Sequence, residues 1–260
     1  MVHEVGPFFL YLYLYRTFGY SDAMRAIFIA DAHLRHEEDD NYRILMKFLA
    51  ELQGATDTLY ILGDLFEFWI GYEKVPFTHY LPILERLREL KESGVGIVYF
   101  EGNHDFHMGP FFTETLGARV HAGPAVIEIE GKRFYLCHGD QVNRKDYGYR
   151  LLRFILHSSL TRAASALVPP AFVSWIAEQM SHGSKKNHGR RKMRWDYPAM
   201  LRAFAAQRFR EGCDTVVSGH FHIPFLDTAE GNTLLSLGDW LTHYTYGELR
   251  DGVLSLKTYR

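Results

Sequence analysis

The sequence predicts a mixed α/β sandwich with flanking helices and a helical insertion. Three observations carry that prediction. In the first half, short runs of apolar and β-branched residues alternate with segments whose apolar residues recur at helical spacing. Hairpin-like runs then follow, with a long helical stretch between two of them. Finally, five short segments rich in Gly, Asp, Asn and His each follow an apolar run: Asp31-x-His33, Gly63-Asp64, Gly102-Asn103-His104-Asp105, His138-Gly139-Asp140 and Gly219-His220-x-His222. Ligands bind at the carboxyl ends of strands in open α/β sheets. One carboxylate, Asp64, stands amid so many nitrogen and oxygen donors that it suggests a bridge between two metal ions.

The elements follow in order. The first convincing strand spans 26–30 and delivers Asp31 and His33. Residues 42–52 place Ile44, Leu45, Phe48, Leu49 and Leu52 on one helical face. The run 58–62 reads as a buried strand, and Gly63 permits the turn that leaves Asp64 at its end. An aromatic segment, 66–69, comes next. Residues 81–92 form a helix that stops at Ser93-Gly94. The strand at 96–100 delivers Asn103 and His104. Runs 125–129 and 133–137 pair as a hairpin around Gly131, and the second delivers His138. Helical patterns then run over 151–156, 160–168 and 172–180, broken by Pro169-Pro170, with another helix over 198–210. The strand at 215–217 delivers His220 and His222. Two last strands lie near 234–237 and 252–259.

This order divides the chain into an N-terminal extension, residues 1–23, and one domain, residues 24–260, with a helical insertion over about 148–200. The extension holds the Tyr-rich apolar run 8–15 but no basic n-region, so it makes a poor signal peptide. It is expected to be dispensable, with Met24 a candidate natural start. A membrane-surface or partner-binding tail is the alternative.

Bulk properties narrow the function. With 260 residues, 47% hydrophobic and 23% charged, the chain can bury a large core. Its net charge of −2 gives no overall signal for nucleic acid. A local excess of base lies within residues 185–194, where Lys185, Lys186, Arg190, Arg191, Lys192 and Arg194 occur without an acid. Cys137 and Cys213 form no paired motif and read as small buried residues of a reducing compartment. No run reaches the ~20 apolar residues that a membrane helix needs.

The candidate ligands are imidazoles and carboxylates with no thiolate. That set suits Mn, Fe, Zn or Co better than Ca. Two such ions can bind a phosphate, acidify a shared water and neutralise the oxyanions of an in-line displacement. His104, beside Asn103, is placed to stabilise the transition state or protonate a leaving group. Asp105 either orients His104 through its other ring nitrogen or serves as a helix-cap or turn residue.

The five segments, in this order, resemble the calcineurin-like metallophosphoesterases, over nearly the whole of residues 24–260. The resemblance implies a two-sheet α/β sandwich with a dinuclear centre. One ion would take Asp31, His33, Asp64 and His222. The other would take Asp64, Asn103, His138 and His220. Both would be divalent, with manganese preferred over iron, zinc or cobalt. Tyr60-Ile-Leu-Gly-Asp-Leu-Phe-Glu-x-Trp69 and Leu237-Gly-Asp-Trp240 are also similar to one group of these enzymes, the UDP-2,3-diacylglucosamine pyrophosphohydrolases of lipid A synthesis. That likeness implies a nucleotide-sugar lipid substrate, cleavage to UMP and a diacylglucosamine 1-phosphate, and a helical lid for acyl chains. It also implies a cytoplasmic protein held peripherally at the inner face of the membrane. Asn103, His104, Asp140, Ser184, Lys185 and Arg191 are the expected substrate contacts. One position departs: those enzymes carry Arg where this chain has His104.

The insertion has a plainer reading as core, and the basic stretch as a solvated face. Two other functions stay open: a soluble phosphodiesterase or phosphatase acting on another substrate, and a metal-binding scaffold without turnover.

Overall fold

The structure is a computed structural model and describes residues 24–72, 77–143, 147–158, 161 and 195–259. The N-terminal extension, the greater part of the expected insertion, and Ser184, Lys185 and Arg191 lie outside the described residues.

Two sheets make the centre. The first orders its strands β13(Val253–Thr258), β12(Thr245–Arg250), β1(Arg25–Ile29), β2(Thr58–Ile61), β4(Gly96–Phe100) and β6(Arg119–His121). The second orders β10(Phe225–Ala229), β11(Asn232–Ser236), β9(Thr215–Ser218), β8(Lys132–Cys137) and β7(Ala125–Ile129). A two-stranded ribbon, β3(Trp69–Ile70) and β5(Asp105–Phe106), adjoins them. The expected two-sheet sandwich is therefore the observed fold.

Strand alternation sorts the core into layers. In β1, Ile27 and Ile29 join the cluster under α1(Asp40–Glu51) and α2(Leu81–Glu92), together with Leu45, Leu49, Leu84 and Leu87. Ala26, Phe28 and Ala30 point the other way, into the layer between the sheets, where Phe28 meets Tyr60 and Phe134. A third cluster packs α4(Tyr197–Arg210), through Leu201 and Ala205, on Val216 and Leu234 of the second sheet. Both cysteines are buried and unpaired, as expected.

The topology positions the site. β1, β2 and β4 run parallel, and so do β8 and β9. Their carboxyl ends therefore gather the five Gly/Asp/His segments at one end of the sandwich. Of the expected insertion, α3(Tyr147–Leu156) is its described beginning. Arg153 of this helix pairs with Asp140, and His157 at its end lies 3.5 Å from Glu101.

Candidate metal centre

The chain turns sharply after β1, β2 and β9 as it delivers candidate ligands. Asp31, His33, Asp64, His220 and His222 all have positive φ, between 45° and 71°. Side-chain-bearing residues avoid this region, and such strain collects at functional sites. Backbone pairing outlasts the strands and holds the turns: His33 N–H donates to Asp64 O at 2.9 Å, and Asp31 N–H to Gly63 O at 3.1 Å.

Three overlapping groups of donors result: Asp31, His33 and His222; His33, Asp64 and His104; Asp64, His138 and His220. Within each, the ligand atoms lie within 4.8 Å of one another. Asp64 links the last two groups. Its Oδ1 accepts from the N–H groups of Asn103 and His104, both at 2.9 Å. That leaves Oδ2 to face Nε2 of His33 at 3.7 Å and of His138 at 3.4 Å. Asp64 Oδ2 is therefore the oxygen that would be open to a cation, because the backbone engages the other.

The donor set fits a cation. Asp31 Oδ2 accepts from His220 N–H at 2.7 Å, while its Oδ1 is fully buried without a hydrogen bond and lies 3.4 Å from His222 Nε2. A buried carboxylate oxygen without a hydrogen bond is costly unless a cation serves it, whether the protonated His222 ring or a metal ion that displaces that proton. His138 donates from Nδ1 to Leu62 O at 2.8 Å, and its Nε2 lies 3.0 Å from Asn103 Oδ1 and 3.1 Å from His220 Nδ1. With His138 deprotonated at Nε2, these three atoms would offer lone pairs to a cation among them.

Electrostatics divide the imidazoles. Burial, with His104 nearby, lowers His33 to about 3. Burial and the neighbouring His138 hold His220 well below the usual histidine range. His222 goes the other way: burial opposes its charge, but Asp31 and Asp239 push it up to about 10. Ion binding at such ligands displaces protons.

His104 sits at the half-buried rim, its ring edge-on to His33 at 4.8 Å. Its Nδ1 donates to Glu67 O at 2.8 Å. Asp105 is therefore not the residue that orients this ring. Its buried carboxylate accepts from the N–H groups of Asp64, Leu65 and Gly102 and from Tyr99 O–H, so it ties the two central loops together. Asp140, expected at the substrate, is buried and paired with Arg153.

The calcineurin-like phosphoesterase family model matches residues 24–224. The chain belongs to this family. As a calcineurin-like phosphoesterase it is a metal-dependent hydrolase, and its family implies divalent ions. Among curated proteins it is similar to the UDP-2,3-diacylglucosamine hydrolase of Aeromonas salmonicida, 33% identical over 84% of this chain and 86% of that one. The enzyme of the same name from Aeromonas hydrophila is 32% identical, covering 84% and 91%. The one from Neisseria meningitidis serogroup B is 28% identical with the same coverage.

Sequence reasoning missed two residues of this phosphoesterase centre. Glu67 Oε2 lies 3.6 Å from His33 Nδ1, and Asp239 Oδ2 lies 3.5 Å from His222 Nδ1. The signal for Asp239 was present: Leu237-Gly238-Asp239 repeats the pattern of Leu62-Gly63-Asp64.

The glycine before Asn103 is sterically required. A Cβ on Gly102 would stand 2.2 Å from Asp64 Oδ1 and 2.6 Å from Asp64 N. Gly102→Ala is expected to destabilise the fold by about 1–3 kcal/mol through overpacking and to lower bound metal. Thermal unfolding and metal analysis of the purified variant test this.

Proposed function

We propose that this phosphoesterase hydrolyses the pyrophosphate of UDP-2,3-diacylglucosamine, releasing UMP and 2,3-diacylglucosamine 1-phosphate. The observation that carries the reading is the meeting of the donor groups around Asp64, in a chain whose similar proteins bear that hydrolase's name. Asp31, His33, Asp64 and His222 would hold one ion, and Asp64, Asn103, His138 and His220 the other, with manganese the first candidate. Such ions supply an acidified water and charge neutralisation at phosphorus. Water attacks the phosphorus nearer the uridine. The bond from that phosphorus to the bridging oxygen breaks, and the lipid phosphate leaves. His104, its ring fixed by the Glu67 carbonyl, presents Nε2 to the departing oxygen. Ser184, Lys185 and Arg191 are proposed to hold the diphosphate.

The lipid half of the reading draws support from α3. Arg153 faces Asp140, while Tyr147, Leu151, Phe154 and Ile155 are exposed, Phe154 to 75%. Their spacing puts the four along one helical face. An exposed apolar face at the mouth of a phosphate site suits acyl chains, each buried CH₂ being worth ~0.8 kcal/mol, and suits peripheral contact with the inner face of the cytoplasmic membrane. Among the described residues, no helix is long and apolar enough to cross a membrane.

The test pairs two substrates. Phe154→Ser is expected to lower kcat/KM for the acylated substrate by about tenfold or more, the scale of one buried aromatic side chain, and to leave bis-p-nitrophenyl phosphate hydrolysis unchanged. Equal losses on both would remove α3 from the lipid site. His104 favours a second reading, a smaller phosphodiester substrate, since it replaces a permanently charged fork. Cleavage of small diesters with none of the acylated substrate would select it.

A further inference from the structure

Two carboxylates outside the expected ligand set stand behind histidines of the same ion position. Glu67 backs His33 from its Nδ1 side, and Asp239 backs His222 likewise. In both rings the opposite nitrogen, Nε2, faces Asp31 Oδ1, at 3.9 Å from His33 and 3.4 Å from His222. An imidazole that gives Nε2 to a cation must keep its proton on Nδ1. A carboxylate there holds that proton, fixes the ring and raises the ligand's basicity.

The other ion position is served differently. His138 has the carbonyl of Leu62 behind it, a neutral acceptor. Asn103 adds a neutral ligand beside it. The charges count the same way: Asp31 belongs to the first position alone, and Asp64 is common to both. At short range these charges dominate a divalent ion's preference.

Asp239 is built to stay where it is. Its Oδ1 accepts from the N–H groups of Leu241, Thr242 and His243, at 2.7–3.1 Å. Its Oδ2 also meets His243 Nδ1 at 2.7 Å. Glu67 is held by an ion pair with Arg35. Both carboxylates are thus anchored by groups other than the histidines they face.

We propose that Glu67 and Asp239 are positioning residues that keep His33 and His222 in the tautomer presenting Nε2, and so make the Asp31 position the tighter of the two ion positions. The proposal rests on the two-ion reading given above.

The experiment titrates manganese into the full chain after chelator treatment, by calorimetry, for the wild type, Glu67→Gln and Asp239→Asn. Each replacement keeps size and removes the charge. The wild type should bind two equivalents with unequal affinity. In both variants the tighter equivalent should weaken by about 10–100-fold, the scale of outer-shell partners, with the weaker one unchanged. Thermal unfolding before manganese is added separates positioning from structure. Glu67→Gln should match the wild type there and show a smaller rise in Tm when manganese is added. Unaltered binding in both variants would overturn the proposal, as would weakening confined to the looser equivalent or a loss of Tm before metal that accounts for the whole effect. A wild type that binds no manganese would instead overturn the two-ion reading itself.

Discussion

Asp64→Ala is expected to remove both ions and, with them, nearly all turnover. The reason is positional. Asp64 Oδ2 is the atom that faces both His33 and His138, and its Oδ1 ties down the Asn103 and His104 backbone. The substitution takes away the shared anion and loosens the loop that carries two more site residues. Activity should fall by at least about 10³-fold, more than the usual cost of one oxyanion donor. Metal analysis should find less than one equivalent bound. A variant that still holds two equivalents would show that Asp64 is not the bridge.

His104→Ala should act on the chemical step. The ring is fixed through Nδ1 by the Glu67 carbonyl, and its ligand-type atom lies within 4.8 Å of those of His33 and Asp64. The expected loss is about 10²–10⁴-fold in kcat, the range for general acid–base help. KM should change little, and two equivalents of metal should remain bound. A raised KM with kcat intact would reassign His104 to uniform substrate binding.

How much of this the sequence disclosed follows from where each signal resides. Strands buried on both faces, such as β1, β2 and β4, are continuous apolar runs, and their ends could be read to within a residue or so. All the candidate ligands were legible because each follows such a run. β12 was not. It carries Glu248 in mid-strand, which looks wrong for a central position until Arg25 and Lys257 are seen to pair with it. β10 and β6 were missed for other reasons: the first has only three apolar residues among five and the second is three residues long.

Within the candidate site, the donor residues were legible in the sequence, but what holds them was not. Asp105 was given two possible parts from its place beside His104. Its carboxylate closes the turn by accepting from Gly102 N–H, and folding also aims it at the Asp64 loop, 40 residues away in the chain. Glu67 and Asp239 share no short motif with the histidines they back, so only the tertiary structure brings them together. Asp140 was legible as part of a motif, but its partner Arg153 lies in the insertion, which no local pattern ties to the strand before it.

The proposed reaction is a two-ion hydrolysis of an acylated nucleotide sugar at the phosphorus nearer the uridine. Its most direct test is one reaction, in which the manganese-loaded full chain is incubated with UDP-2,3-diacylglucosamine in ¹⁸O-labelled water and the products are weighed by mass spectrometry. UMP should carry a single ¹⁸O, and the diacylglucosamine 1-phosphate should stay unlabelled. Label in the lipid product would contradict the direction of attack, and an intact substrate beside active hydrolysis of bis-p-nitrophenyl phosphate would contradict the substrate itself.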